Sequence, residues 1–403
     1  MEKTKLIPSE IRRSGRRALL AEIRRYKKIP RIDLSESTGI SRATVTTITA
    51  DLLKEGLIEE VRAETPEKDL RRGRPKVDLK IRGAAHHVVG IKIANKSLST
   101  VLHDFEGIQI ADHEVALEES VFEADALADE VSKAIEGLTS KAGLSAEEVS
   151  GVGVGIAGTV DALQGFVYWS PSLHQRNVEL GQVLEDRLGV PVFLDNDANL
   201  VAVAERAFGL AKENSDFIVI TIESGVGMGI VIGNELYRGN RGCGAELGHT
   251  KVQLDGALCR CGQRGCLEAY VADYALLREA GISGRHKSVS KVEDLLSAAR
   301  EGDSVAKSIV DRAGRMFAMG LANIVNIFDP ELIILSGEQM HSDHLYASEV
   351  IDAMRNSVVH IDKPGPEVVI HKWGDLMWAR GAAAFALDEV SEIAITGHRE
   401  NAQ

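Results

Sequence analysis

A cysteine-rich segment near the middle of the chain reads Cys259-Arg260-Cys261-Gly262-Gln263-Arg264-Gly265-Cys266, ten residues after His249. The chain has four cysteines, and three of them within eight positions favour a metal site over a disulfide scaffold. Three thiolates and one imidazole make a closed tetrahedral zinc site with no open position. We therefore predict a structural Zn²⁺ held by His249, Cys259, Cys261 and Cys266, with Cys243 as a bystander. Alternatively, these cysteines are buried as small apolar residues.

The residues around this segment have the sequence pattern of an α/β protein. From His87 onward, apolar β-branched runs recur at 88–93, 152–156, 192–194, 217–222 and 332–335. Helical patterns separate several of these runs, for example at 124–141 and 198–208. This alternation predicts an α/β fold with largely parallel strands, and the glycine-rich turns that follow several strands are where such folds bind ligands.

A polar constellation lies on both sides of the cysteines. Asp195-Asn196-Asp197 stands between a predicted strand and a predicted helix, Glu246 precedes His249, and Glu268 follows the last cysteine of the segment. Carboxylates, an amide and an imidazole suit sugar hydroxyls, which both donate and accept hydrogen bonds. The alternative for residues 195–197 is a helix N-cap.

Charge divides the chain of 403 residues into a basic head and an acidic body. Residues 1–82 carry a net charge of +8, whereas the whole chain carries −13. We expect the head to contact a polyanion and the acidic body to repel DNA, although a solvated basic face would look the same. The sequence has no apolar run of membrane-spanning length and no secretion signal, so we expect a cytoplasmic protein without membrane insertion.

The head has the pattern of a helix-turn-helix. We predict helices at about 14–27, 31–37 and 41–55, with Gly39 in the turn and Ile32, Leu34 and Ile40 in the core. The third helix then presents small polar side chains that suit a major groove, which makes Ser41, Arg42, Thr44, Thr46 and Thr47 candidate DNA-binding residues.

The segment 59–79 reads as strand, loop and strand, which is the wing of a winged helix-turn-helix. Its loop carries Arg71, Arg72 and Arg74 beside Gly73 and Pro75, and arginines on a narrow loop suit a minor groove. A small three-helix bundle with incidental basic residues is the alternative to this DNA-binding interpretation.

Together these motifs resemble the ROK family of repressors and sugar kinases. The body resembles the family over about 85–390, and the head resembles the winged helix-turn-helix of its xylose- and N-acetylglucosamine-responsive repressors. The resemblance implies a winged helix-turn-helix domain at 1–82. It also implies, at 83–403, a sugar-binding domain with the two-lobed, actin-like ATPase fold of ROK sugar kinases, with the zinc segment at 249–266.

The resemblance also implies a damaged nucleotide site. Family kinases carry Asp-Ile-Gly-Gly-Thr in the first phosphate turn, where this chain has Lys92, Ala94 and Asn95 in place of the aspartate and the glycines. Glu223-Ser224-Gly225 replaces the Gly-Thr-Gly of the second turn. A carboxylate there repels phosphate, so we expect no ATP binding and no enzyme activity.

The resemblance implies that the sugar-binding residues of the family site are retained in this chain. By resemblance, the sugar-binding residues are Gly158, Asn196, Asp197, Glu246, His249 and Glu268, and Asp197 is the vestigial general-base position. His249 can give one ring nitrogen to zinc and the other to the sugar. The family's Pro-Asn-Leu reads Pro171-Ser172-Leu173 here, so one sugar contact is altered.

The leading hypothesis is a sugar-responsive transcriptional regulator, expected to be a repressor of carbohydrate metabolism genes. It would bind double-stranded operator DNA as a homodimer or homotetramer, and a monosaccharide in the cleft between the lobes would modulate that binding. The alternative is a ROK sugar kinase with residual ATP-dependent activity. A third hypothesis is a regulator that no longer uses sugar and instead responds to a protein partner at the zinc segment.

Overall fold

The computed structural model describes residues 8–62, 77–222, 225–283, 291–336, 345, 347–362, 364–372, 374 and 376–397. They form two compact units. The first comprises Met1–Val154, Glu179–Phe193 and Ala382–Gln403, and the second comprises Gly155–Val178 and Leu194–Gly381.

Helices and strands alternate along most of the described chain. The helices are α1 Pro8–Tyr26, α2 Arg31–Thr38, α3 Arg42–Lys54, α4 Ala124–Ala142, α5 Leu180–Leu188, α6 Asp197–Ala207, α7 Glu268–Val271, α8 Asp273–Ile282, α9 Val292–Arg300, α10 Ser304–Phe328, α11 Ser348–Arg355 and α12 Met377–Thr396. The strands are β1 Ile29–Pro30, β2 Ile58–Arg62, β3 Val77–Ile81, β4 His87–Ala94, β5 Ser97–Asp104, β6 Gln109–Ala116, β7 Val149–Ile156, β8 Thr159–Asp161, β9 Phe166–Trp169, β10 Val192–Asn196, β11 Phe217–Ile222, β12 Val226–Ile232, β13 Glu235–Leu236, β14 Leu332–Ser336 and β15 Glu367–His371. Among these helices, none combines the length and the apolar character needed to cross a membrane.

The head consists of α1, α2 and α3 with a small sheet of order β1-β3-β2. Gly39 ends α2 at a φ of 68°, and Ser41 caps α3 by accepting a hydrogen bond from the Thr44 amide. Strands β2 and β3 pair antiparallel, as expected for the base of a wing. The three predicted helices and the Gly39 turn are therefore confirmed.

One detail of the predicted head is wrong. Ile32 is 47% exposed, because α2 turns only its Leu34 position fully into the core. Between α1 and α2, Ile29 and Pro30 form β1, which pairs antiparallel with β3. A proline is tolerated there because it stands at an edge strand of the small sheet.

Each large sheet of the body contains antiparallel strands, so the expectation of largely parallel strands is wrong. In the sheet of order β10-β7-β4-β5-β6, strands β4, β5 and β6 are an antiparallel meander. In the sheet of order β13-β12-β11-β14-β15, β11, β14 and β15 run parallel, whereas β12 and β13 join by antiparallel pairing. Short hairpin loops allow these neighbours to pair directly without a crossover helix.

The hydrophobic core of the head extends beyond the helix-turn-helix segment. Leu19, Leu20 and Ile23 of α1 belong to the same buried cluster as Leu387 and Val390 of α12. Full burial of such a side chain contributes about 2 kcal/mol. The last helix of the chain is therefore part of the packing that holds the first helix.

Candidate functional site

The predicted zinc ligands come together in the structure. The donor atoms of His249, Cys259, Cys261 and Cys266 all lie within 4.8 Å of one another. Cys259 Sγ is 3.7 Å from His249 Nδ1, and Cys261 Sγ is 3.8 Å from Cys266 Sγ. A tetrahedron with Zn–S bonds of about 2.3 Å has sulfur–sulfur edges of about 3.8 Å. The donor set and its spacing therefore fit Zn²⁺.

Lys251 is a neighbour of this cluster that the sequence analysis missed. Its Nζ donates a hydrogen bond to Cys266 Sγ at 2.9 Å, and this bond raises the pKa of Lys251. Three thiolates with one neutral imidazole would leave a net charge of −1 around Zn²⁺, which the ammonium balances. The available signal was the position of Lys251 two residues after a predicted ligand.

Asn196 and Asp197 lie where β10 meets α6. Asn196 caps α6, because its Oδ1 accepts a hydrogen bond from the Ala198 amide at 2.9 Å, and its Nδ2 donates to the Gly158 carbonyl at 2.7 Å. The N-cap alternative is thus confirmed for Asn196, which also ties Gly158 to this corner. Asp197 is the first residue of α6, where the helix dipole favours a negative charge.

Gly158 has a backbone φ of 130°, a conformation that would be strained for a residue with a side chain. A Cβ atom there would lie 2.2 Å from the Trp169 carbonyl oxygen, so no larger residue fits. Gly158 therefore brings its carbonyl within hydrogen-bonding reach of Asn196, and its sugar contact stays a prediction.

Glu246 is surrounded by other acidic groups. Desolvation, together with repulsion by Glu268 and by Asp197, raises its pKa to about 7. The side chain keeps 45% of its surface exposed. Near pH 7 this carboxyl can accept a hydrogen bond in one protonation state and donate one in the other, which suits a sugar hydroxyl.

His249 connects the acidic groups with the zinc ligands. Its Nδ1 faces Cys259, and its Nε2 lies 3.9 Å from Glu246 Oε2. Glu268, the first residue of α7, accepts a hydrogen bond from the Tyr274 hydroxyl at 3.2 Å. The same hydroxyl lies 3.6 Å from Cys259 Sγ, so Tyr274 links a predicted sugar ligand with a predicted zinc ligand.

Asp195 and Arg238 form an ion pair next to Asn196 and Asp197. Asp195 belongs to the predicted polar constellation, whereas Arg238 had no predicted role. The Asp195 side chain is fully buried, and its Oδ2 accepts a hydrogen bond from Arg238 Nε at 2.8 Å and lies 2.8 Å from Arg238 Nη2 in an ion pair. Its Oδ1 accepts from the Asn196 amide at 2.7 Å and from Asn199 Nδ2 at 2.8 Å. The partner of Asp195 is 43 residues away, so no local pattern could have indicated it.

The predicted DNA-binding residues of α3 share an exposed face. Ser41, Arg42, Thr44, Thr46 and Thr47 are all exposed, whereas Val45 and Ile48 are buried. The hydroxyls of Thr46 and Thr47 donate to helix carbonyls four residues earlier, which leaves their oxygens able to accept. The side chain of Arg42 is 72% exposed.

Four of the predicted functional residues lie outside the described part of the chain. They are Arg71, Arg72 and Arg74 of the predicted wing, and Glu223 of the second phosphate turn. In the first phosphate turn, β4 extends to Ala94, so Lys92 is a buried strand residue and not part of a loop.

The fold and these residues define a class of protein: a winged helix-turn-helix on a body with the fold of a sugar kinase. Two family models match the chain, one for winged helix-turn-helix DNA-binding at residues 16–59 and one for the ROK family at residues 88–389. The chain belongs to the ROK family.

Proteins similar to this chain include both regulators and kinases. The xylose repressor of Bacillus spizizenii is 31% identical over 350 residues, which cover 86% of this chain and 87% of the repressor. The structure of a ROK family transcriptional regulator, a homologue of the E. coli MLC protein, is 25% identical with a TM-score of 0.80 and covers 96% of this chain and 98% of its own. A ROK glucokinase from Streptomyces griseus, solved with glucose and AMPPNP, is 31% identical with a TM-score of 0.61 and covers 74% of this chain and 99% of its own.

Proposed function

We propose that this chain is a sugar-responsive transcriptional repressor. Residues 1–82 bind operator DNA, with Arg42 and the hydroxyl-bearing residues of α3 in the major groove and Arg71, Arg72 and Arg74 in the minor groove. Residues 83–403 bind a monosaccharide, which changes the affinity for the operator. A homodimer or homotetramer then requires a roughly palindromic site.

The observation that carries this proposal is the occurrence of two sites in one chain. The exposed face of α3 suits a DNA groove, and Asp197, Glu246 and Glu268 interact closely enough to shift the pKa of Glu246. Acidic groups in such proximity repel phosphate and DNA but suit neutral sugar hydroxyls. The similarity to a xylose repressor supports the same conclusion and makes D-xylose the first sugar to test.

Zinc has a positioning role in this proposal. His249, Cys259, Cys261 and Cys266 would hold the ion, which supplies a fixed tetrahedral anchor and no reaction. Nδ1 of His249 faces the other ligands, so Nε2 is left toward Glu246 and the sugar. The orientation of a sugar-binding residue then depends on the metal.

The test is a sugar titration of operator binding. Duplexes selected from a random pool by the full-length protein would provide the operator, and fluorescence anisotropy would follow DNA binding with D-xylose, D-glucose or N-acetylglucosamine. We expect one sugar to weaken binding. A shift of the repressor from 99:1 to 1:99 between two states requires about 10⁴-fold preference of the sugar for one of them. If no monosaccharide alters operator affinity, the proposal fails.

A sugar kinase is the second candidate. Asp197 at the general-base position and the likeness to a ROK glucokinase favour it. Lys92, buried in β4 where the family's aspartate would stand, opposes it. A coupled ADP-release assay over hexoses and pentoses decides between the two, because turnover above background would identify a kinase.

A further inference from the structure

Helix α12 begins against α6, the helix that starts at Asn196 and Asp197, two of the predicted sugar ligands. Gly381 lies so close to α6 that a Cβ atom there would be 2.0 Å from the Leu200 carbonyl oxygen. Met377 and Trp378 of the same turn are 1% exposed and share a hydrophobic cluster with Val201 of α6. The first turn of α12 is therefore held firmly by α6.

Helix α6 in turn begins at the proposed sugar site. Its N-cap is Asn196 and its first residue is Asp197, and Leu200 lies one turn further along. A helix is stiff over such a distance, so a shift of the Asn196–Asp197 corner on sugar binding moves Leu200 as well. The contact with Gly381 has no free space to absorb this motion.

The other end of α12 is bound to the first helix of the DNA-binding head. Glu392 accepts hydrogen bonds from Arg17 Nε and, at 3.4 Å, from Arg13 Nη2. Arg24 Nη2 donates to Ser391 Oγ at 3.0 Å. Three arginines of α1 thus contact two consecutive residues near the end of α12, above the shared apolar cluster.

Between these ends α12 is continuous. It spans 20 residues, roughly 30 Å at 1.5 Å per residue, and contains no proline. Its middle is rich in alanine, with Ala382, Ala383, Ala384 and Ala386 all buried. Alanine is the strongest helix former, so this segment favours an unbroken helix.

We propose that α12 transmits the sugar signal from α6 to the DNA-binding head, and that the ion pairs of Glu392 with Arg13 and Arg17 couple α12 to α1. This inference rests on the proposed function. It assigns a role to a helix that carries neither a predicted sugar ligand nor a predicted DNA contact. In the alternative, α12 only packs against α1, and the ion pairs affect the stability of the fold but not the sugar response.

The experiment uses the whole chain with Glu392→Gln, which removes the negative charge of this side chain and keeps its size and shape. Glu136→Gln, at an exposed glutamate of α4, is the matched control. Calorimetry measures the affinity for D-xylose, D-glucose and N-acetylglucosamine, and anisotropy measures operator affinity with and without each sugar. Coupling between two sites is typically about 5- to 150-fold. We expect Glu392→Gln to reduce it below about twofold while sugar affinity stays within about twofold of wild type.

A charge swap adds a test that a purely structural role would not pass. Arg17→Glu combined with Glu392→Arg restores the ion pair in reverse and should restore part of the sugar response. Hydrogen exchange provides a readout that needs no DNA: sugar should change exchange in α1 of the wild type, and this change should be lost in Glu392→Gln.

The outcomes separate the inference from the proposed function. An unchanged sugar response in Glu392→Gln overturns the inference and leaves the proposed function intact. Loss of sugar binding in this variant, or a wild-type α1 whose exchange does not respond to sugar, also overturns the inference. A wild type that responds to no sugar overturns the proposed function and the inference with it.

Discussion

Nε2 of His249 lies 3.9 Å from Oε2 of Glu246, while Nδ1 of the same ring faces the cysteine cluster. The two nitrogens of one imidazole thus belong to two different sites, the proposed sugar site and the proposed zinc site. Metal loading and sugar binding should therefore be linked through the His249 ring.

Loss of a zinc ligand should weaken sugar binding. For Cys266→Ser we expect zinc affinity to fall by at least about 10- to 100-fold, and sugar affinity to fall with it because His249 loses its anchor. Zinc content by mass spectrometry and sugar affinity by calorimetry measure both effects. Cys243→Ser is the control, since Cys243 is not part of the cluster. Full sugar affinity in zinc-free Cys266→Ser protein would contradict the link.

Arg42 should contribute directly to operator binding. Its exposed side chain on α3 can reach a phosphate or a guanine edge, so Arg42→Ala should cost about 1–3 kcal/mol of binding free energy. If the contact is to phosphate, the slope of log affinity against log salt should fall by about 0.9. Anisotropy at several salt concentrations measures this. Arg315→Ala, at an exposed arginine of α10, should leave affinity unchanged.

Asp195→Asn should destabilise the fold. The change leaves Arg238 without its carboxylate in a buried site, and breaking such a pair costs about 3 kcal/mol. Urea unfolding measures the free energy. Asp352→Asn removes an exposed ion pair with Arg355 and should change stability by less than about 1 kcal/mol. If the two variants lower the free energy of unfolding equally, the Asp195–Arg238 pair contributes no more to stability than an exposed ion pair.

The ion pairs of Glu392 predict a pH dependence of stability. Burial raises the pKa of Glu392, but hydrogen bonds and charges from Arg17 and Arg13 outweigh it and hold the pKa below the ordinary 4.5. Because the folded pKa is the lower one, the pairs stabilise the protein above about pH 4.5, and this contribution is lost as the pH falls through the folded pKa.

Glu392→Gln should therefore unfold at a lower temperature than wild type at pH 7, by the equivalent of about 1 kcal/mol or less. The difference should shrink as the pH falls below 4.5, the ordinary pKa of the carboxyl. Thermal unfolding across this pH range measures it, and Glu136→Gln should track the wild type throughout. A deficit that is the same at pH 7 and at pH 4 would mean that the charge of Glu392 does not contribute.

Local patterns predicted a large part of this protein. The Gly39 turn, the exposed face of α3 and the strands of the body follow from glycine conformation and apolar periodicity, which act within a few residues. The cluster of His249 and three cysteines was also predictable, because three of its four members lie within eight positions. Ile32 was misplaced, since an eight-residue helix has too few turns for its period to show which side chains face inward.

Contacts between distant segments were beyond such patterns. The bond from Arg238 to Asp195 spans 43 residues, and the bond from Arg17 to Glu392 spans 375. Charged residues like these look the same in a sequence whether they are solvated or paired, because their partners are chosen by how the chain folds back on itself. Residue chemistry therefore revealed which groups could bind zinc, sugar and DNA, whereas folding placed α12 against both α6 and α1.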